Sequence, residues 1–228
     1  MSTIIKANGI NRIFRVGDED FYALHDVSVD IERGKLVILK GRSGSGKTTL
    51  MNILSSLDVP SAGAVTFDGM DVVNMSDEDK ERLRREQIGF VFQSVALIPI
   101  MNAYENVEFA LRLVDKHKDS YDRITEVMRL VGMEERMLHM PGQMSGGEQQ
   151  RVAIARAIVH KPKVLFADEP TAALDTKNGL KVISLFRELV EKEGITVVMT
   201  THDQGLMELA DEVYELQDGV IIDHRKDW

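Results

Sequence analysis

Gly41-Arg42-Ser43-Gly44-Ser45-Gly46-Lys47-Thr48 fits the spacing G-x-x-x-x-G-K-[ST] and follows the apolar run Leu36 to Leu39 directly. The order predicts a strand, a tight turn and a helix beginning near Lys47. Glycines let the backbone fold around an anion. Successive N–H groups of Gly41, Ser43, Gly44, Ser45 and Gly46 can then face phosphate oxygens, and the helix adds its positive end. Lys47 would reach the β- and γ-phosphates of a bound nucleotide, and Thr48, followed by Thr49, would offer its hydroxyl to Mg²⁺, an ion that prefers oxygen ligands. A merely flexible glycine turn is the poorer reading, because a strand and a helix flank the motif.

The class follows from the segments on either side. Short apolar stretches, Ile10 to Phe14 and Val27 to Ile31, surround the polar turn Gly17-Asp18-Glu19-Asp20, and Ala64 to Phe67 precedes Asp68-Gly69. These predict an antiparallel β layer. Buried-strand runs recur at Ile88 to Phe92, Val164 to Ala167 and Ile195 to Met199 with helical segments between them, which is the alternation of an α/β protein with a parallel sheet. Ser76 and Asp79 resemble a capping box for a charged helix reaching about Glu86. Its Arg82, Arg84 and Arg85, interleaved with Glu81 and Glu86, read as a solvated face.

From Ala103 to His139 the pattern becomes amphipathic helix, with Val107, Leu111 and Val114 on one stripe and Ile124, Val127, Met128 and Val131 on the next, before a C-cap at Gly132. Met128, Met133, Met137, Met140 and Met144 fit either core packing or an adaptable docking surface, and packing is favoured. The expected organisation is one domain over 1–228, with a nucleotide-binding core at about 1–93 and 160–228 and a helical subdomain at about 94–159.

Composition narrows the partners. The formal charge of −9 opposes general binding to nucleic acid or anionic lipid, so no nucleic acid is expected. No run approaches the roughly 18 apolar residues of a membrane span, and the N-terminus lacks the apolar core of a signal peptide, so a cytoplasmic location is expected. The absence of cysteine removes disulfides and thiolate metal sites.

A second glycine-rich turn, Ser145-Gly146-Gly147-Glu148, precedes a segment whose Val152, Ile154, Ala155 and Ile158 form an apolar face. It could hold an anion at a helix N-terminus or be an ordinary helix start. Val164-Leu165-Phe166-Ala167-Asp168-Glu169 is an apolar strand ending in two acids, the form needed to hold Mg²⁺ at a sheet edge and place a carboxylate beside an attacking water.

Taken in order, the phosphate loop, Phe92-Gln93, Ser145 to Arg151, Asp168-Glu169-Pro170-Thr171, Ala173-Leu174-Asp175 and Thr200-Thr201-His202-Asp203 strongly resemble the ABC transporter ATPases over nearly the whole chain. The resemblance implies a mostly parallel, RecA-like core sheet with an N-terminal antiparallel layer and an inserted helical subdomain. It also implies binding of ATP and Mg²⁺. Phe14 matches the aromatic that stacks on adenine, Gln93 the glutamine between Mg²⁺, water and the membrane partner, and Asp168 the Mg²⁺-side carboxylate. Glu169 matches the catalytic glutamate that polarises water, and His202 the histidine on the γ-phosphate. In a head-to-tail pair, Ser145, Gly146, Gly147 and Glu148 of one copy would cap the nucleotide held by Lys47 of the other, with Asp175 near the seam. Met144 and Glu148 depart from the usual Leu and Gln without removing a backbone donor. His25, His117, His139, His160 and His224 read as surface or packing residues.

The resemblance also implies an integral membrane permease subunit, docking near Gln93 to Val107 and holding the chain at the inner face of the membrane. The stretch Arg84 to Gln93, with Leu97-Ile98-Pro99 and Glu105-Asn106-Val107, looks most like the group of macrolide and peptide exporters, lipoprotein-releasing ATPases and the cell-division ATPase. Export of a peptide, drug, lipid or lipoprotein is the first expectation. Mechanical signalling across the membrane is the second, and a soluble ABC ATPase a distant third.

Overall fold

The computed structural model describes residues 2–114, 120–172 and 174–226; His117 and Ala173 lie outside the described residues. The chain runs β1 (Thr3–Val16), β2 (Glu19–Glu32), β3 (Leu36–Lys40), α1 (Lys47–Leu54), β4 (Ala62–Phe67), β5 (Met70–Asp71), α2 (Asp77–Gln87) and β6 (Ile88–Val91). It continues through α3 (Ala103–Val114), α4 (Tyr121–Leu130), α5 (Gly146–Ile158), β7 (Val164–Ala167), α6 (Thr176–Glu188), β8 (Thr196–Thr201), β9 (Glu212–Gln217) and β10 (Val220–Lys226).

Successive side chains of a strand point to opposite faces, and in the central sheet both faces are apolar. Val37, Leu39, Val164, Phe166 and Val198 pack on one side with α1 and the N-terminal β layer. Leu36, Ile38, Leu165, Ala167, Val197 and Met199 pack on the other with α3 to α6. The sheet order is β10-β9-β3-β8-β7-β6, parallel from β9 to β6 with β10 antiparallel at the edge. The separate antiparallel sheet has the order β2-β1-β4-β5. This is the α/β architecture expected from the sequence.

Two differences have local causes. The short apolar stretches expected near the N-terminus are the later parts of two 14-residue strands, whose register shifts between Ala7 and Ile10 and again around Arg12. Such bulges interrupt the period of two. Arg84, expected on a solvated face, instead donates to the Ser56 carbonyl at 2.7 Å and ties α2 to the end of the α1 segment. Arg82, by contrast, is exposed and pairs with Asp79 within its own helix.

Ser76 does cap α2, its hydroxyl accepting from the Asp79 N–H at 3.1 Å. Among the methionines, Met128, Met133 and Met144 are core residues, while Met137 and Met140 are half-buried. His160 packs beneath α2 and β6 against the Ile88 carbonyl, and burial holds its imidazole below the usual pKa. His224 stacks on Tyr214. Gly89 shows how closely β6 and α5 approach, since a Cβ there would collide with the Ala157 carbonyl.

Candidate nucleotide site

The 41–46 loop links β3 to α1. Gly46 caps α1 with φ +99°, and a Cβ there would stand 2.7 Å from the Ala23 carbonyl oxygen, so the turn requires glycine. Lys47 is only 5% exposed. Its ammonium donates to the carbonyls of Gly41 at 2.8 Å and Arg42 at 3.0 Å, and stands 3.9 Å from Glu169 Oε1. The Ser45 hydroxyl is buried without a hydrogen-bond partner.

This loop forms one wall of a cavity of about 630 Å³. The β1–β2 hairpin lends Phe14, Phe21 and Ala23 to its lining, the loop and α1 lend Ser43, Gly44, Lys47, Thr48 and Thr49, and the strand ends lend Gln93, Glu169 and His202. The cavity therefore brings together an aromatic surface, backbone donors, a cation and a carboxylate.

Gln93, Glu169 and His202 stand at the C-terminal edges of neighbouring parallel strands, where open α/β sheets bind ligands. Gln93 follows β6, Asp168 and Glu169 follow β7, and His202 follows β8. Asp168 places its two carboxylate oxygens 3.2 and 3.1 Å from the Thr48 hydroxyl. Glu169 has φ +43°, a strained conformation for a residue with a side chain, and its carboxylate lies 3.7 Å from His202 Nδ1.

The second glycine turn stands elsewhere. Ser145 caps α5 by accepting from the Glu148 N–H at 3.4 Å, while Glu148 accepts from the Ser145 N–H at 2.8 Å and the Ser145 hydroxyl at 2.9 Å. The Ser145 N–H is the main reason the Glu148 carboxyl lies below its usual pKa range. Asp175 caps α6 and holds Asn178, whose side chain lies against Gly147. Ser145, Gly146, Gly147, Glu148 and Asp175 thus stand close together, and none of them lines the cavity at Lys47.

Two site residues escaped the sequence reading. Phe21 pairs directly with Phe14 across the β1–β2 hairpin, and Ala23 follows it on the same face. Counting outward from the two-residue turn Gly17-Asp18 would have found Phe21, as 16 opposes 19 and 14 opposes 21. Thr200, which the sequence reading names only within Thr200-Thr201-His202-Asp203 and without a role of its own, lies on β8 beside Asp168.

The ABC transporter family model matches residues 24–172. The chain belongs to the ABC transporter family. An ABC transporter ATP-binding protein of Methanocaldococcus jannaschii is 42% identical over 96% of this chain and 98% of its own length. The macrolide export ATP-binding/permease protein MacB of Syntrophobacter fumaroxidans is 41% identical over 96% of this chain but only 31% of its own length, so the chain spans about a third of such exporters. A dimeric structure of an M. jannaschii ATP-binding cassette in a post-hydrolysis state, bound to ADP and Pi, superposes with a TM-score of 0.90 at 38% identity, covering 97% of this chain and 98% of that one. This ABC transporter protein is accordingly an ATP-binding cassette and an ATPase. Among the described residues no helix is long and apolar enough to cross a membrane.

Proposed function

We propose that the chain is the ATP-hydrolysing subunit of an exporter, pairing with a second copy of itself around two ATP molecules and driving a separate integral membrane permease. The observation that carries this reading is the division of labour between the two helix starts. The chain builds two anion-binding turns, at Gly41 to Thr48 and at Ser145 to Glu148, and lines its cavity with the first alone. A second copy would supply the missing half, with Ser145 and Gly147 capping the γ-phosphate at Lys47 and Asp175 at the seam. The dimeric relative supports that arrangement.

Within the site, Phe14 and Phe21 offer apolar rings to the base, and the loop donors and Lys47 take the phosphates. Mg²⁺ fits the donors beside the strand ends. Among the described residues no cluster of three or more acids or histidines is placed to cage a metal, whereas Thr48 and Asp168 offer hard oxygens side by side. That set suits an ion that keeps phosphate oxygens and waters as its other ligands. Gln93 would face the metal and the attacking water, Glu169 would accept the water's proton, and His202 would bond the γ-phosphate. ATP closes the pair; hydrolysis removes the bridging phosphate and reopens it.

The permease site we infer is a groove of about 710 Å³ between α2, β6, α3 and the end of α5. Phe92, Ile98, Phe109 and Leu113 form its apolar surface, rimmed by Arg84, Arg85, Arg112 and Arg156. An amphipathic helix from a membrane subunit would fill it, with acidic residues facing the rim. The relatives among macrolide exporters support export, with a peptide, drug, lipid or lipoprotein as cargo, and a position on the cytoplasmic face of the membrane.

Phe109→Asp should reduce co-isolation with the membrane subunit from detergent extracts about tenfold or more, since an exposed aromatic ring that the partner would cover is replaced by a charge. Co-isolation at the wild-type level would remove the groove from the interface. Phe14→Ala should weaken binding of a fluorescent ATP analogue about tenfold, the scale of one base–aromatic stack, and Phe21→Ala should weaken it too. Unchanged affinity in both variants would take the base away from this wall.

A further inference from the structure

We propose that Thr200 is a positioning residue that sets both acids at the end of β7 with one hydroxyl. β8 lies between β3 and β7, and its register with β7, Ala167 opposite Met199, brings Thr200 beside Asp168. Thr200 is fully buried, where a hydroxyl must find protein partners. It finds two. Its Oγ1 donates to Asp168 Oδ1 at 2.6 Å and accepts from the Glu169 N–H at 2.8 Å.

Each bond acts on a different acid. The first holds the carboxylate whose oxygens lie 3.1 and 3.2 Å from the Thr48 hydroxyl, fixing the pair of oxygens offered to Mg²⁺. The second anchors the peptide N–H of a residue at φ +43°, a conformation that persists only when its surroundings enforce it. Thr200 thereby orients Glu169 through its backbone and leaves the side chain to face the cavity. Thr201 serves the next loop instead, its hydroxyl accepting from the Asp203 N–H at 3.1 Å.

The inference rests on the roles given to Asp168 and Glu169 above. Thr200→Val keeps the branched shape and removes the hydroxyl, whereas Thr200→Ser keeps both hydrogen bonds. Loss of an outer partner of a metal-side ligand typically costs about 10- to 100-fold, and that is the fall expected in kcat for Thr200→Val, with the Mg²⁺ concentration for half-maximal rate rising about tenfold. Thr200→Ser should restore most of both. Binding of a fluorescent ATP analogue in EDTA should stay within about twofold of wild type in Thr200→Val, because the phosphate loop is untouched.

Wild-type kcat and Mg²⁺ dependence in Thr200→Val would overturn the proposal. So would a Ser variant as impaired as the Val variant, or loss of metal-free nucleotide binding alongside activity, which would mark a purely structural role. If Thr200→Val gives no folded protein, Thr200→Cys, with a poor hydrogen-bonding thiol, takes its place in the same comparisons. Full activity in Glu169→Gln would instead sink the site assignment itself.

Discussion

Glu169→Gln should lower ATP turnover by about 10³-fold while leaving ATP affinity near that of the wild type, the middle of the range for removing a general base. Gln has almost the same shape, and the backbone bond from Glu169 N to Thr200 does not depend on the side chain. What is lost is a carboxylate able to take a proton from water beside His202 and Lys47. With turnover blocked and ATP retained, the variant should accumulate as a dimer on ATP addition, read by size-exclusion chromatography with light scattering. Turnover above a tenth of the wild-type rate would show that Glu169 is not the base. A persistent monomer at saturating ATP would sink the two-copy pocket.

Lys47→Ala should raise the Kd for ATP by about 100-fold, because a charge-assisted contact to phosphate is replaced by a methyl group that leaves the anion uncompensated. The ammonium is buried at the bottom of the loop, within 4 Å of Glu169, so no bulk solvent can substitute for it fully. The defect should appear in binding itself, measured by titration with a fluorescent ATP analogue, and adenosine should bind both proteins equally. Unchanged ATP affinity would contradict the role given to Lys47. Since α1 begins at this residue, thermal unfolding should be recorded beside it.

Much of this was legible because the informative residues are contiguous. The loop at Gly41 to Thr48, the acids after Val164 to Ala167 and the turn at Ser145 to Glu148 each announce a strand end or a helix start within a few residues. The ends of β3 and β7 and the start of α1 then meet at one sheet edge by the rule for parallel sheets, while the turn at Ser145 stands apart. What stayed hidden depends on register. Phe21 enters the cavity only because the hairpin sets it opposite Phe14, and Thr200 matters only because β8 lies against β7 at one particular offset. The last two strands, β9 and the edge strand β10, were not anticipated. Their sequence, Glu212 to Lys226, mixes charges into the apolar pattern, and Glu212 is buried through its contacts with His224 and Lys226. Arg84 was misread because its chemistry fits a solvated face equally well; the carbonyl of Ser56 that captures it comes from another element.

The contact at Gly89 has a mechanical meaning. With no side chain between that strand and the Ala157 carbonyl, the two backbones have no compressible layer to take up strain. Ala157 stands near one end of a helical arm about 18 Å long whose other end carries Ser145. A push delivered near Arg156 would therefore arrive at Ser145 as movement of a stiff lever, and the same lever run backwards would carry the closing of the nucleotide seam out to whatever fills the groove.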